Sequence, residues 1–477
     1  MKTVSQKTVP LAEKTKNGQA PWSAQRLYRP YVRWAIAIGL TLGFTTGAAM
    51  LLLPALGISA GATWLTHTQA HGMAQLFGWA GLFVMGVAFH VVPRFRSVTP
   101  GYPWPQRAAL VLVLLGIILR FTGQVLPSPA SPAVLVASGV LLLAGVAVFA
   151  FALGRTLRQG TPSINQPERW FWAGIAWALA ATALHMGIVV QMASTTGAFA
   201  PPSWNTAYVH AATLGFIGNF IFGVSARALP AFMSLSASHA RLRAVAFGVV
   251  NLGVTIQVAA ALAGTPEVWA SGGPILTAAG VILFVLALRV FERRTTDRPY
   301  IPGTYARYEW FVRAAYGWLL AAGALAAWEA LGAIWAPAAT PVGIGAPVLH
   351  ILALGFVTMM IMGMASRMLP MFEGGELRWH AAMDFAFVTL NLSVLLRLAF
   401  GLIPSDHTWA GLAVSGVLGL LALVAFGAVA WSAMLPSARE HYQQAMQVMV
   451  KQRMGHRGTQ LGAQAPGQHG SVHKSTE

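Results

Sequence analysis

Cysteine is absent from all 477 residues. That excludes disulfides, thiolate metal sites, cysteine-ligated iron–sulfur clusters and haem attached through Cys-x-x-Cys-His. Any bound metal must be held by histidine, methionine or oxygen. Charge is nearly as scarce. Asp, Glu, Lys and Arg together make up 9% of the chain, whereas 56% is hydrophobic, far outside the soluble range. Acids are the rarest group, 13 against 31 Lys and Arg. A basic side chain placed inside the membrane therefore has few protein carboxylates to pair with.

What is present in abundance is the long apolar run. Stretches long enough to span a bilayer fall near 34–55, 70–93, 107–126, 131–154, 168–194, 206–230, 242–264, 271–291, 309–335, 347–370, 380–403 and 409–434. The expected fold is an all-α polytopic membrane protein of about twelve transmembrane helices. The net charge of +18 does not point to nucleic acid, because its placement follows the membrane. Lys and Arg crowd the N-terminus, the 94–107, 155–169, 239–243, 289–306 and 367–378 segments, and the tail. The alternate loops near 56–66, 127–130, 196–205, 265–270, 336–346 and 404–408 carry none. The positive-inside rule then places both termini in the cytoplasm of a cell whose inner membrane the chain spans.

One stretch recurs. His210 to Pro230 reads HAATLGFIGNFIFGVSARALP, and His350 to Pro370 reads HILALGFVTMMIMGMASRMLP. A looser copy runs from His71 to Pro93, keeping Gly78, Gly86 and Pro93 in register. There His90 stands where the others have Arg227 and Arg367, and Met73 takes the register of the two histidines. The prolines are 137 and 140 residues apart, too long a period for a solenoid. Each unit must hold four helices with the marked stretch second. The expected divisions are a basic segment 1–30, repeats over 31–155, 165–295 and 305–435, and a basic tail 436–477 that is largely disordered at its end. Three four-helix units imply a pseudo-threefold arrangement with the second helices innermost. In the following helix, equal offsets pick out Arg120, Gln257 and Arg397, and Leu114, Asn251 and Asn391.

The topology puts His71, His210 and His350 in the outer half, with Arg120, Gln257, Arg397, His185 and His67. The inner arginines read as anchors that snorkel to headgroups, the methionines from Met359 to Met371 as core filler, and the repeated glycines as close helix packing. Arginine inside an apolar helix needs a partner, and Glu329 is the only acid near that level. A haem meets both needs. Imidazole is its commonest axial ligand, and its propionates suit the forked guanidinium. On this reading the repeated histidines ligate a haem b, and Arg120 and Arg397 hold the propionates, with Gln257 adding a weaker bond.

Twelve helices in three arcs, with histidines on the second, sixth and tenth, resemble the catalytic subunit of the haem–copper oxidases and nitric oxide reductases. In that group the low-spin haem ligands stand on helices two and ten, so the resemblance implies His71 and His350 as the axial pair, with Met73 as a substitute ligand. The chain lacks that group's adjacent His-His pair on helix seven and its His-Pro-Glu-Val-Tyr-like motif on helix six. A closer resemblance is to the NnrS family, through His71, Phe77, Gly78 and Trp79, and through His350, Gly363, Met364 and Arg367. That resemblance implies haem, copper and a part in nitric oxide metabolism or nitrosative stress, with a redox partner protein. His210, His185 and His67 are the outer-half histidines left over for copper. Two alternatives stand beside it: a divergent terminal oxidase or nitric oxide reductase subunit, and an anion carrier that uses its His and Arg residues at a repeat interface. No residue is singled out as catalytic.

Overall fold

The structure, a computed structural model, describes residues 26–435 except 60, 62, 100–102, 127, 164, 196–198, 266–269, 296–304, 336–344, 374, 375 and 404. The basic tail and all but the end of the basic N-terminal segment lie outside these residues. The described residues form helices and no strand. In chain order the helices are α1 (Tyr28–Ala55), α2 (Thr63–Phe95), α3 (Trp104–Val125), α4 (Ser131–Arg158), α5 (Glu168–Ser194), α6 (Pro202–Phe232), α7 (Ala240–Ala263), α8 (Gly272–Leu288), α9 (Tyr308–Trp335), α10 (Gly345–Glu373), α11 (His380–Leu402) and α12 (Thr408–Ala433). Among the described residues eleven of these are long and apolar enough to cross a membrane, and α8 is shorter. The chain is an all-α polytopic membrane protein.

The second helix of each unit is innermost. Buried residues fill 94%, 78% and 72% of the apolar windows of α2, α6 and α10, against 50% or less in the other long helices. Each of the three carries a wide-turned π-helical segment at the same repeat offset: Ala74–Gly81, Ala211–Gly218 and Ile351–Thr358. Met73, His210 and His350 are the residues immediately before them. Such turns are rare and concentrate at functional sites. Side chains take up part of the irregular carbonyl pattern. The Asn219 amide donates to the Gly215 oxygen at 2.7 Å, and the Thr358 hydroxyl to that of Ala353 at 2.8 Å. The segments also meet one another. Phe77 stacks on Phe216 with centroids 5.7 Å apart, and the Trp79 indole donates to Thr358 at 3.0 Å.

The units join head to tail. The last helix of each packs on the first helix of the next: α4 on α5, α8 on α9, and α12 back on α1. At the basic end the same closure recurs in side chains. The guanidinium of Arg227 lies 5.4 Å over the ring of Phe95, and that of Arg367 lies 5.6 Å over Phe232. His90 completes the set against Phe372, centroids 3.9 Å apart. Phe95, Phe232 and Phe372 each stand two residues after the repeated proline. Arg227 and Arg367 are therefore cation–π partners across unit boundaries.

Within units the repeat also explains its polar residues. Trp177 donates to Asn251 at 2.9 Å, and Trp318 to Asn391 at 2.9 Å. The indoles occupy space beside Gly215 and Gly355, where a Cβ would fall 2.8 and 2.7 Å from their Cγ atoms. In the first unit Ile38 lies beside the matching Gly78 and Leu114 holds the offset of the asparagines, so donor and acceptor are replaced together. The methionines of α10 are buried core, apart from Met371, which is half exposed.

Three of the scarce acids serve the basic end. Glu373 accepts from Tyr28 and Arg29 and pairs with Arg26 at 3.2 Å, tying α10 to the start of α1. Asp384 pairs with Arg307 at 2.7 Å, and Glu168 with Arg96 at 3.1 Å.

Candidate functional site

The histidines gather at the end opposite these acids. His71 sits two turns into α2, with its Nδ1 2.9 Å from the carbonyl oxygen of Gly43 in α1. His350 stands at the start of α10's π-helical segment, with its Nδ1 2.8 Å from the carbonyl oxygen of Ala346. A carbonyl oxygen only accepts, so Nδ1 carries the proton in both rings. The neutral tautomer then leaves the Nε2 lone pair of each free to ligate. A backbone carbonyl behind Nδ1 is the usual support for a metal-bound imidazole. Gly47 makes room for the first ring: a Cβ there would lie 2.6 Å from His71 Cε1.

His71, His350 and Arg397 lie within electrostatic reach of one another. They come from α2, α10 and α11, so the group straddles the boundary between the third unit and the first. All three residues are half-buried, and the Nε of Arg397 has no hydrogen-bond partner. The site thus combines two neutral imidazoles, each with one free lone pair, and a cation with a donor to spare.

Arg120 is placed elsewhere. It lies with His185 and Tyr208, at the boundary between the first unit and the second. Its Nη1 donates to Gln124 Oε1. Gln257 is committed inside its own unit, its amide donating to Thr277 at 2.8 Å and to the Gly253 oxygen at 3.4 Å. Met73 is buried at 3% exposure. His67 uses its Nδ1 on the Thr63 oxygen at 2.7 Å, and His210 is half-buried on α6. Among the described residues no group of three or more His, Asp or Glu is arranged to hold a metal ion. His67, His185 and His210 therefore do not form a three-histidine copper site.

Sequence offsets could not separate the two arginines. They occupy equivalent positions, and in a ring of units equivalent positions face different boundaries. The signal for the support of His71 was equally faint. It consists of Gly43 and Gly47 on α1, two glycines four residues apart.

Fold and site together define a multi-pass helical membrane protein in which α2, α10 and α11 bring two histidines and one arginine together. The chain belongs to the NnrS family, whose model, described as NnrS protein, matches residues 31–438. No curated protein matches the chain.

Proposed function

We propose that the chain is a haem b-binding redox protein of the inner membrane, serving the response to nitric oxide or nitrosative stress. The observation that carries the haem reading is the tautomer of the two histidines. His71 and His350 come from repeat-related helices of different units. Each spends Nδ1 on a carbonyl and keeps Nε2 for a ligand. Two such imidazoles would supply the kind of nitrogen ligand that a haem iron takes.

Arg397 supplies what a haem carboxylate needs. It is in reach of both histidines, and a charge-assisted bond to a propionate would satisfy its unpartnered Nε. Pairing would offset the unfavourable placement of a guanidinium in an apolar helix, about 2.5–3.5 kcal/mol at a helix centre on insertion scales. A bound haem would supply one-electron chemistry at the iron. The protein's part is to hold both rings in one tautomer, to balance the propionate charge and to screen the site with the surrounding helices. The copper that the family resemblance implies finds no three-donor group among the described residues, and no step is assigned to it. The nitric oxide role rests on that same resemblance. The distribution of Lys and Arg supports cytoplasmic termini, and with them a site in the outer half of the membrane.

The test is the absorption spectrum of the purified protein in detergent, with haem extracted and counted per chain and the midpoint potential measured for wild type and Arg397→Leu. A Soret band, about one haem per chain and a potential displaced in the variant are expected. Protein that stays colourless after expression with ample haem supply would rule the reading out.

A further inference from the structure

We propose that the boundary between the first and second units binds a small monovalent anion, held by Arg120, His185 and Tyr208. Three polar atoms without a hydrogen-bond partner lie together there: Arg120 Nε, His185 Nε2 and the Tyr208 hydroxyl. Their residues are 3%, 2% and 3% exposed. They come from three helices, α3, α5 and α6, with the His185 and Tyr208 rings 5.8 Å apart and Arg120 in electrostatic reach of both. Buried polar groups are ordinarily paired, and a buried cation without a counter-charge is the costliest exception.

No described residue supplies that counter-charge. Arg120 makes no ion pair with a described residue, and its one hydrogen bond goes to a neutral amide oxygen, that of Gln124. Gln124 in turn donates to Gln69 at 2.9 Å. Gln69 is fixed by the backbone of Ala200, donating to its oxygen at 3.1 Å and accepting from its nitrogen at 2.8 Å. This relay orients the guanidinium without neutralising it. Arg120 and Tyr208 present N–H and O–H donors, and His185 adds a third donor in the tautomer protonated at Nε2. Three donors around one positive charge suit an acceptor carrying a single negative charge, such as chloride or nitrate.

Size separates this site from the histidine pair. Phe77 stacks on Tyr208 with centroids 6.1 Å apart and is itself fully buried. The three residues are sealed, whereas His71, His350 and Arg397 are half-buried. The fully buried boundary suits a ligand of few atoms, and the less buried one suits a larger group. Arg120 and Arg397 then perform the same task at two boundaries, each balancing a buried negative charge.

The experiment titrates chloride and nitrate into purified wild-type protein in detergent at constant ionic strength, with gluconate as the background anion. Thermal unfolding and tryptophan fluorescence are followed. A saturable stabilisation is expected. Tyr208→Phe should weaken it roughly 10-fold or more, the effect of losing one hydrogen bond to a charged group, and Arg120→Gln should abolish it. Arg397→Gln should retain it. Should Arg120→Gln fail to fold, Tyr208→Phe decides, since it removes a single oxygen. No anion dependence in wild type, or the same midpoint in Tyr208→Phe, would overturn the proposal. Haem absorbance read from the same samples keeps the two sites apart: colourless protein that still binds chloride rejects the haem reading and leaves this one standing.

Discussion

Replacing Gly47 by alanine should impair haem retention while leaving the fold intact. The added methyl would fall 2.6 Å from His71 Cε1, well inside contact distance, so the imidazole must swing away. Moving it breaks the 2.9 Å bond from Nδ1 to the Gly43 oxygen, a loss of about 0.5–1.5 kcal/mol. Forcing a group into a packed site typically adds about 1–3 kcal/mol. In the haem-free protein the ring can turn toward open space and escape most of this. In the haem-bound protein it cannot, so the penalty falls on ligation. About 1.5–4.5 kcal/mol corresponds to a loss of affinity of roughly 10- to 2,000-fold. The matched control is Gly72→Ala, next to His71 in sequence, where a Cβ meets nothing within 4 Å. The assay is haem per chain and dissociation rate to a haem-scavenging globin. Equal retention by Gly47→Ala and Gly72→Ala would refute the reasoning.

Further consequences follow from the contacts around the ring. Asn251→Leu strands the Trp177 indole N–H and should destabilise by about 1–3 kcal/mol in detergent unfolding. The double change Trp177→Ile with Asn251→Leu, which copies the first unit's Ile38 and Leu114, should recover part of that loss. Glu373→Gln removes the carboxylate shared by Tyr28, Arg29 and Arg26, and should lower stability by about 3 kcal/mol, the low end for breaking a buried pair because both arginines are part-exposed. Arg227→Leu and Arg367→Leu should each cost about 0.5–2 kcal/mol through lost cation–π contact, with haem content unchanged. Because the chain has no cysteine, single substitutions report topology without background. Ser128→Cys should react with an impermeant maleimide added outside spheroplasts, and Gln159→Cys only after lysis.

Much of the fold was legible because apolar length and basic-loop alternation are direct records of bilayer thickness and insertion. All twelve expected spans overlap observed helices, and the three stretches read as innermost are the three most buried. The site was legible in part. His71 and His350 were identifiable because a proline-anchored repeat made their positions equivalent. Equivalence says nothing about proximity, and this is why Arg120 and Arg397 read as one pair although they face separate boundaries. The ring contacts of the inner arginines were hidden for a related reason. A basic residue near a helix end always satisfies the topology rule, and the phenylalanines they cover belong to another unit, more than a hundred residues away in the chain. The π-helical segments left no separate mark in the sequence, since their backbone pattern is imposed by packing against each other. Tyr208 escaped notice because nothing repeats it.

The central claim is that His71 and His350 ligate one haem. It is tested most directly by low-temperature electron paramagnetic resonance of the oxidised protein, comparing wild type with His71→Ala and His350→Ala. Wild type should give a low-spin ferric signal of bis-imidazole type, and either variant should lose it, through haem loss or a high-spin signal. A low-spin signal unchanged in both variants would contradict the account, because the iron would then be held by other residues.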